Sequence, residues 1–391
     1  MKKQGFFRGV RSLCQKENGA GGMDRVYLLL SLLLLLFGVV MSYSASAVYG
    51  ETVYGDGYYF LKRYVLFALL SALASVPFVL RATPAFWRCF AVALYLGSVC
   101  LLALVLVMGT VGGGARRWLV IGPLTVQPSE IAKLALVMTL ALAFALYGER
   151  VTSPKKGGGS FRYGVLLPAG LIGLIGALVA AEKHISGLLI IGMLGVLMMF
   201  FGGTRLRYLG VMAGAVLLSG VVLVAVSSYA QVRVDTWLHI EEVDPLGSAW
   251  QTLQGLYAIG SGGLFGRGLG KGLQKYGYVS QPQNDFIFTV ICEELGFFGA
   301  ALLLLLFFLL VWRGFLIAWH QRDRFLALVA CGISAKLALQ VLLNVAVVTN
   351  SMPNTGVSLP FFSSGGTFLG MQIFEIAIML SISRYGTGGN K

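Results

Sequence analysis

Asp285 ends the stretch SQPQND and is followed at once by FIFTVICEELG, an apolar run interrupted only by Glu293 and Glu294. The chain has 16 acidic residues among 391, so a carboxylate at the edge of such a run is a sparing use of charge. It could act as a general base or cap a helix N-terminus, two roles that suit aspartate. A second cluster is GGGARRWLVIGPLTVQPSEIAK. Arg116 and Arg117 could pair with phosphate. Trp118 could stack on a sugar face or anchor at headgroup level. Pro128 suits the first turn of a helix. Glu130 and Lys133, three apart on that helix, share a face as a structural pair or as functional groups. A third cluster, AIGSGGLFGRGLGKGLQKYGYVSQPQND, carries Gly262, Gly263, Arg267, Lys271 and Lys275. Its glycine spacing fits neither a dinucleotide fingerprint nor a P-loop. It reads either as a loop of backbone amides suited to an anionic headgroup such as pyrophosphate, or as a flexible linker. Ser363, in NSMPNTGVSLPFFSSGGTF, is a further candidate for substrate contact.

Other groups carry less. Lys336, Gln340 and Asn344 follow an i, i+4, i+8 spacing, one polar stripe on one helix face that must look into the bundle or a watery cavity. Glu375 is placed to pair with Lys336 at mid-membrane depth, a structural role. His184, in EKHISG, reads as a solvated or hydrogen-bonded loop residue. The five cysteines lack CxxC spacing and the three histidines are far apart, so neither a disulfide framework nor a zinc site is expected.

The elements that position these residues follow from composition. The chain is 57% hydrophobic and 12% charged, against about 25% charged in a soluble domain. Apolar runs of spanning length recur throughout, so the fold class is an all-α polytopic membrane protein. Strands of an outer-membrane barrel would alternate instead. About ten transmembrane helices are predicted, over 26–48, 58–80, 85–108, 128–147, 164–182, 186–202, 208–229, 286–312, 326–348 and 366–383. The run after Asp24 has no small-residue cleavage site at its end and is kept as the first span. Most of the 30 basic residues fall in the N-terminal tail and in alternate loops, which places both termini in the cytoplasm. The net charge of +14 is therefore a topology signal, and no nucleic acid is expected. The expected organisation is a cytoplasmic tail over 1–23, a membrane domain over 24–385 and a cytoplasmic tail over 386–391. GERVTSPKKGGGSFRYG and RGFLIAWHQRDR read as inner linkers. A large extracellular loop, 230–285 between the seventh and eighth spans, holds Asp235, Glu241, Glu242, Asp244 and Asp285. Long loops of this kind are usually functional. Asp285, Trp118 and Asn354 are expected outside, and Lys155 inside.

The clusters quoted above, together with DPLGSAWQTLQGLYAIGSGGLFGRGLGKG and the terminal SISRY, resemble the SEDS family (shape, elongation, division and sporulation) over about 26–385. The ending is more similar to the FtsW and SpoVE branch than to RodA. The resemblance implies a ten-helix peptidoglycan glycosyltransferase that polymerises lipid II at the outer leaflet of the cytoplasmic membrane. It implies a class B penicillin-binding transpeptidase as partner, with other division-complex membrane proteins. It makes Asp285 the essential aspartate and matches Trp118 and Glu130 to family motifs. There are departures. Gln281 and Gln283 stand where the family often has glutamate and histidine in PEAHTDFIF. EKHISG replaces PDxGT, which leaves Glu182 as the acid there. Ser364 stands where an aromatic is usual.

The expected reaction joins a sugar hydroxyl of one lipid-linked disaccharide to the anomeric carbon of another, releasing a polyprenyl pyrophosphate. It needs a base for the hydroxyl and positive charge for the leaving group. Asp285 supplies the first. Arg116, Arg117, Arg267, Lys271 or a divalent cation, Mg or Mn, supplies the second. Two alternatives stand beside this reading: a lipid II flippase using Glu130, Lys133, Lys336 and Glu375 along the membrane depth, and a non-catalytic divisome scaffold.

Overall fold

The computed structural model describes residues 21–112, 115–122, 124–152, 161–242, 247–363 and 365–386. Most of both tails, Lys155 with its glycine-rich linker, Asp244 and Ser364 lie outside the described residues.

Ten apolar helices form the bundle among the described residues. They are α1 (Arg25–Tyr54), α2 (Tyr59–Arg81), α3 (Pro84–Met108), α4 (Pro128–Thr152), α5 (Arg162–Ala181), α6 (Ile185–Phe201), α7 (Leu206–Val226), α10 (Ile287–Trp319), α11 (Arg324–Val348) and α12 (Gly366–Ser383). Nine are long and apolar enough to cross a membrane, and α6 is a shorter apolar helix. Each falls within a few residues of its predicted span, except that α1 and α10 run on. Of the basic, aromatic segment after Trp312, the first part, 313–319, belongs to α10, and only 320–323 connects it to α11. Arg313 there pairs with Asp24, the N-cap of α1, at 2.9 Å.

Burial sorts the helices. In α4 and α11, 78% of the most apolar window is buried, against 17% in α2 and 6% in α7. The inner pair therefore carries the polar residues, while α2 and α7 present Leu66, Leu73, Val211, Leu217 and Val221 outward, as lipid contact requires. The stripe on α11 is observed as such. Lys336 pairs with Glu375, Gln340 accepts from Gln372 at 3.1 Å, and Asn344 donates to the carbonyls of Asp285 and Val357 at 2.8 and 2.7 Å. Two charges and three amides are thus engaged inside a bundle where unmatched groups would be costly. The terminal SISRY has a mechanical use: Arg384 donates to the carbonyls of Val79 and Leu80, at the C-terminal end of α2, where a cation is favoured.

Two features were not expected from sequence. Between α3 and α4 the chain forms a small antiparallel sheet of β1 (Thr110–Gly112), β2 (Ala115–Ile121) and β3 (Leu124–Val126), in the order β1-β2-β3. The segment read as one long loop holds two helices, α8 (Ser228–Leu238) and α9 (Trp250–Gly262).

The glycine run after α9 is explained by a break in α10. Gly296 sits at φ 66°, ψ −166°, so the helix loses its internal bonding there. A left-handed setting of this kind suits only glycine well. The run supplies the missing partners. Arg267 and Gly268 donate backbone N–H to the carbonyls of Glu293 and Glu294, and Phe297 and Phe298 donate to the carbonyls of Gly263 and Leu264. The two carboxylates are held by the same run. Glu293 accepts from the Leu273 amide at 2.8 Å, and Glu294 from the Gly270 amide at 2.9 Å, from Ser44 of α1 and from Lys275 at 2.7 Å. Broken helices survive at membrane depth only where neighbouring groups serve the exposed backbone in this way.

Candidate active site

The bundle, the small sheet and the helices α8 and α9 enclose a cavity of about 540 Å³. Six of the predicted site residues line it: Asp285, Arg117, Trp118, Glu130, Lys133 and Ser363. They arrive from β2, from the first turns of α4, from the chain just before α10 and from the loop before α12. Their spread through the sequence is typical of a site whose elements pack first and whose side chains then converge.

Asp285 is partly buried and lies one residue before Phe286, the residue that occupies the N-cap position of α10 without a capping side chain. The carboxylate is therefore not spent on capping. Asn344 fixes its backbone by taking its carbonyl, and Ser363 holds the preceding carbonyl of Asn284 at 2.7 Å. Ser363 thus ties the 359–363 turn to the acid. Gly356, at φ 70°, passes so close that an added Cβ would stand 3.3 Å from Asp285 Oδ2. Burial pushes the Asp285 carboxyl above its ordinary range, while its own backbone N–H and the charge of Arg233 hold it down.

Around it the charges are mixed. Lys133 pairs with Glu130 at 2.7 Å, so the predicted i, i+3 pair is present and also faces the cavity. Arg117 donates to the Lys183 carbonyl at 2.8 Å. Behind it lies Glu182, buried and pushed up to about 8 by that burial, against the opposing charge of Arg117. His184 is not a solvated loop residue. It is buried, lines the cavity, stands 3.1 Å from Ser129 Oγ and is held neutral, down to about 3, by burial and the charges of Arg117 and Lys133. Gln281 lines the cavity too, while Gln283 is buried.

Five predicted residues are elsewhere. Arg116 is exposed, with its side chain toward the Leu106 carbonyl. Gly262, Gly263, Arg267 and Lys271 do not line the cavity. Their run is bound to Glu293, Glu294 and the break in α10, and an added Cβ at Gly262 would meet the Cys292 carbonyl. The amides foreseen as a cradle for pyrophosphate are occupied by the chain's own carboxylates and carbonyls.

Sequence reasoning missed Arg233 and Gln251, which reach the cavity from α8 and α9. The available signal was small: Arg233 is a basic residue in a segment expected to lie outside and otherwise marked by Asp235, Glu241 and Glu242. Among the described residues no three His, Cys, Asp or Glu side chains gather to hold a metal ion. In the cavity, Asp285 and Glu130 are the carboxylates that a divalent cation would have to use; Glu130 Oε1 accepts from Lys133, and its Oε2 is buried without a partner.

The fold is that of a multi-pass membrane bundle with one broken helix and a polar chamber at one end. The chain belongs to the cell cycle protein family of FtsW, RodA and SpoVE, whose model matches residues 24–388. It is 38% identical to stage V sporulation protein E of Bacillus subtilis over 93% of this chain and 97% of that protein. It is 39% identical to a probable peptidoglycan glycosyltransferase FtsW of Trichlorobacter lovleyi over 92% of this chain and 93% of that one. Among solved structures it resembles a chain of a peptidoglycan synthase complex that coordinates polymerization and crosslinking, with a TM-score of 0.75 and 29% identity over 94% of this chain and 99% of that one. It also resembles the rod shape determining protein RodA of Thermus thermophilus, with a TM-score of 0.68 and 28% identity over 93% and 98% of the two chains.

Proposed function

We propose that this chain is a peptidoglycan glycosyltransferase that polymerises lipid II on the outer face of the cytoplasmic membrane, in division or sporulation. The observation that carries the proposal is one carboxylate, Asp285, held by its backbone in a cavity that also presents Arg117, Lys133 and Arg233. The reaction is a direct displacement. The sugar hydroxyl of the acceptor gives its proton to an Asp285 oxygen as its own oxygen bonds the donor's anomeric carbon. The bond from that carbon to the polyprenyl pyrophosphate breaks, and the leaving group takes the electron pair. A pyrophosphate needs no proton to leave, so the paired carboxylates of glycoside hydrolysis are not required. Arg117 and Arg233 offset its charge, with Lys133 shared with Glu130. Trp118 offers an apolar wall for a sugar face. The residues that a flippase would use are matched as two ion pairs, Glu130 with Lys133 and Lys336 with Glu375, which favours the polymerase.

The likeness to a chain of a peptidoglycan synthase complex supports a class B transpeptidase as partner. The test is purified chain with and without that partner, given lipid II and read for glycan strands. Strands that lengthen with the partner are the expected result, and no polymer under either condition overturns the proposal.

The same assay has a pH arm. Asp285 must be ionised to accept a proton, so activity is lost as pH falls through its raised pKa. The acid limb is expected above the ordinary aspartate value of about 3.9. Arg233→Gln removes a cation that favours the ionised form, so it moves that limb to higher pH. A limb that stays in place or moves down removes Arg233 from the neighbourhood of the base.

The distribution of basic residues supports an active face on the outside. Tyr276→Cys, in the exposed glycine-run segment, is expected to react with an impermeant thiol reagent in intact cells, and Arg322→Cys only after lysis. The reverse pattern inverts the topology.

A further inference from the structure

A second chamber of about 230 Å³ adjoins the first, and Arg233 and Gln251 line both. It lies between α8, α9 and the loop after α11. Its character differs from that of the catalytic cavity. Thr236 and Ser248, hydrogen-bonded to each other at 2.8 Å, Thr252 and Asn354 give it neutral donors and acceptors. Trp237 gives its N–H to the Asn350 carbonyl at 3.0 Å, which leaves the ring as an apolar wall. Arg233 gives a side-chain N–H to the Asn354 carbonyl. The Asn354 side-chain oxygen is buried without a partner. Such an oxygen is costly unless a ligand or water meets it.

We propose that this chamber is a strand-holding subsite for one neutral N-acetylated sugar ring of the growing glycan, one ring beyond the disaccharide that reacts at Asp285. The proposal rests on the polymerase reading above. Neutral amides, hydroxyls and an indole wall are the chemistry that recognises an uncharged, hydroxyl-bearing ring with an acetamido group. The unpartnered Asn354 oxygen would accept the acetamido N–H. Arg233, the chamber's one cation among the described residues, is shared with the catalytic cavity, so the chamber is not fitted to a pyrophosphate. Sugars far from any phosphate are found only in the growing strand. The volume admits a single ring. Because Arg233 and Gln251 line both chambers, a ring seated here leaves the disaccharide ahead of it in the cavity of the base.

A strand-holding subsite controls how many additions occur before release, and not the first one. Asn354→Ala removes the side-chain oxygen and keeps the carbonyl that Arg233 uses. Thr252→Val removes a hydroxyl at equal shape. Each variant, as full chain with its transpeptidase partner blocked by penicillin, is given lipid II and read twice: for first-turnover lipid II consumption and for strand length on a gel. The expected result is an unchanged first turnover and strands shortened about fivefold, the worth of one neutral hydrogen bond. Strands of full length from both variants overturn the subsite while the polymerase stands. A first turnover that falls as much as strand length also overturns it, since that marks damage to the catalytic cavity. Absence of polymer from the wild type would instead remove the polymerase reading itself.

Discussion

Asp285→Asn is expected to yield a folded, inserted protein that makes no glycan. Asparagine keeps the shape and the backbone bonds that matter at this position. Asn344 still takes the carbonyl of residue 285, and Ser363 still takes that of Asn284. What disappears is the proton acceptor. A positioned general base is worth about 10²–10⁴ in rate, so turnover should fall below detection in a strand-length assay. The competing idea, that the carboxylate caps α10, predicts near-normal activity, because asparagine caps nearly as well. The structure gives that idea little ground, since Phe286 is the cap and no capping side chain accepts from the first-turn amides. The measurement is polymerisation at matched expression with the partner present. Activity near that of the wild type would remove Asp285 from catalysis.

Glu294→Ala is expected to produce the largest loss of stability of any single change in the half of the molecule that carries the cavity. The carboxylate is fully buried, and its partner Lys275 has a side chain only 4% exposed. Removing one member of a buried pair leaves the other charge uncompensated, at a cost of about 3–5 kcal/mol. The loss also frees the Gly270 amide and the Ser44 hydroxyl, so the glycine run comes off the break in α10. The readout is the melting temperature in detergent, with limited proteolysis across 263–275. Leu302→Ala, on a lipid-facing position 55% exposed, is the control and should change little. Equal melting temperatures for the two variants would show that the latch carries no weight.

The spans were legible because hydropathy is a one-dimensional signal that a bilayer reads directly. The stripe of Lys336, Gln340 and Asn344 was legible for a related reason: in a helix, spacing alone fixes the face. The end of α10 was not. Arg313 reads as an exit from the membrane, yet the helix runs on to Trp319, and the bond of Arg313 to Asp24, far away in sequence, could not be foreseen. The purpose of the glycine run was hidden as well. It became plain only with the break at Gly296, one of many glycines in an apolar stretch. The β1–β3 hairpins were too short for alternation to show. Of the candidate site, the sequence identified the acid and its cationic neighbours on β2 and α4. It could not find Arg233, whose place depends on how α8 folds back beside the 350–356 segment.

The stripe on α11 has a mechanical consequence. Its three residues reach partners in three different places: Glu375 and Gln372 on α12, and the carbonyls of Asp285 and Val357 at the chamber wall. They lie eight residues apart end to end, about 12 Å along the axis. One residue of twist turns a helix by about 100°. A slip of that size would withdraw all three side chains at once, so α11 behaves as a key with a single angular setting. The orientation of a charged pair near mid-bundle and the position of Asp285 are therefore one variable and not two. Any force that rolled α11 would reach Asp285 without touching it.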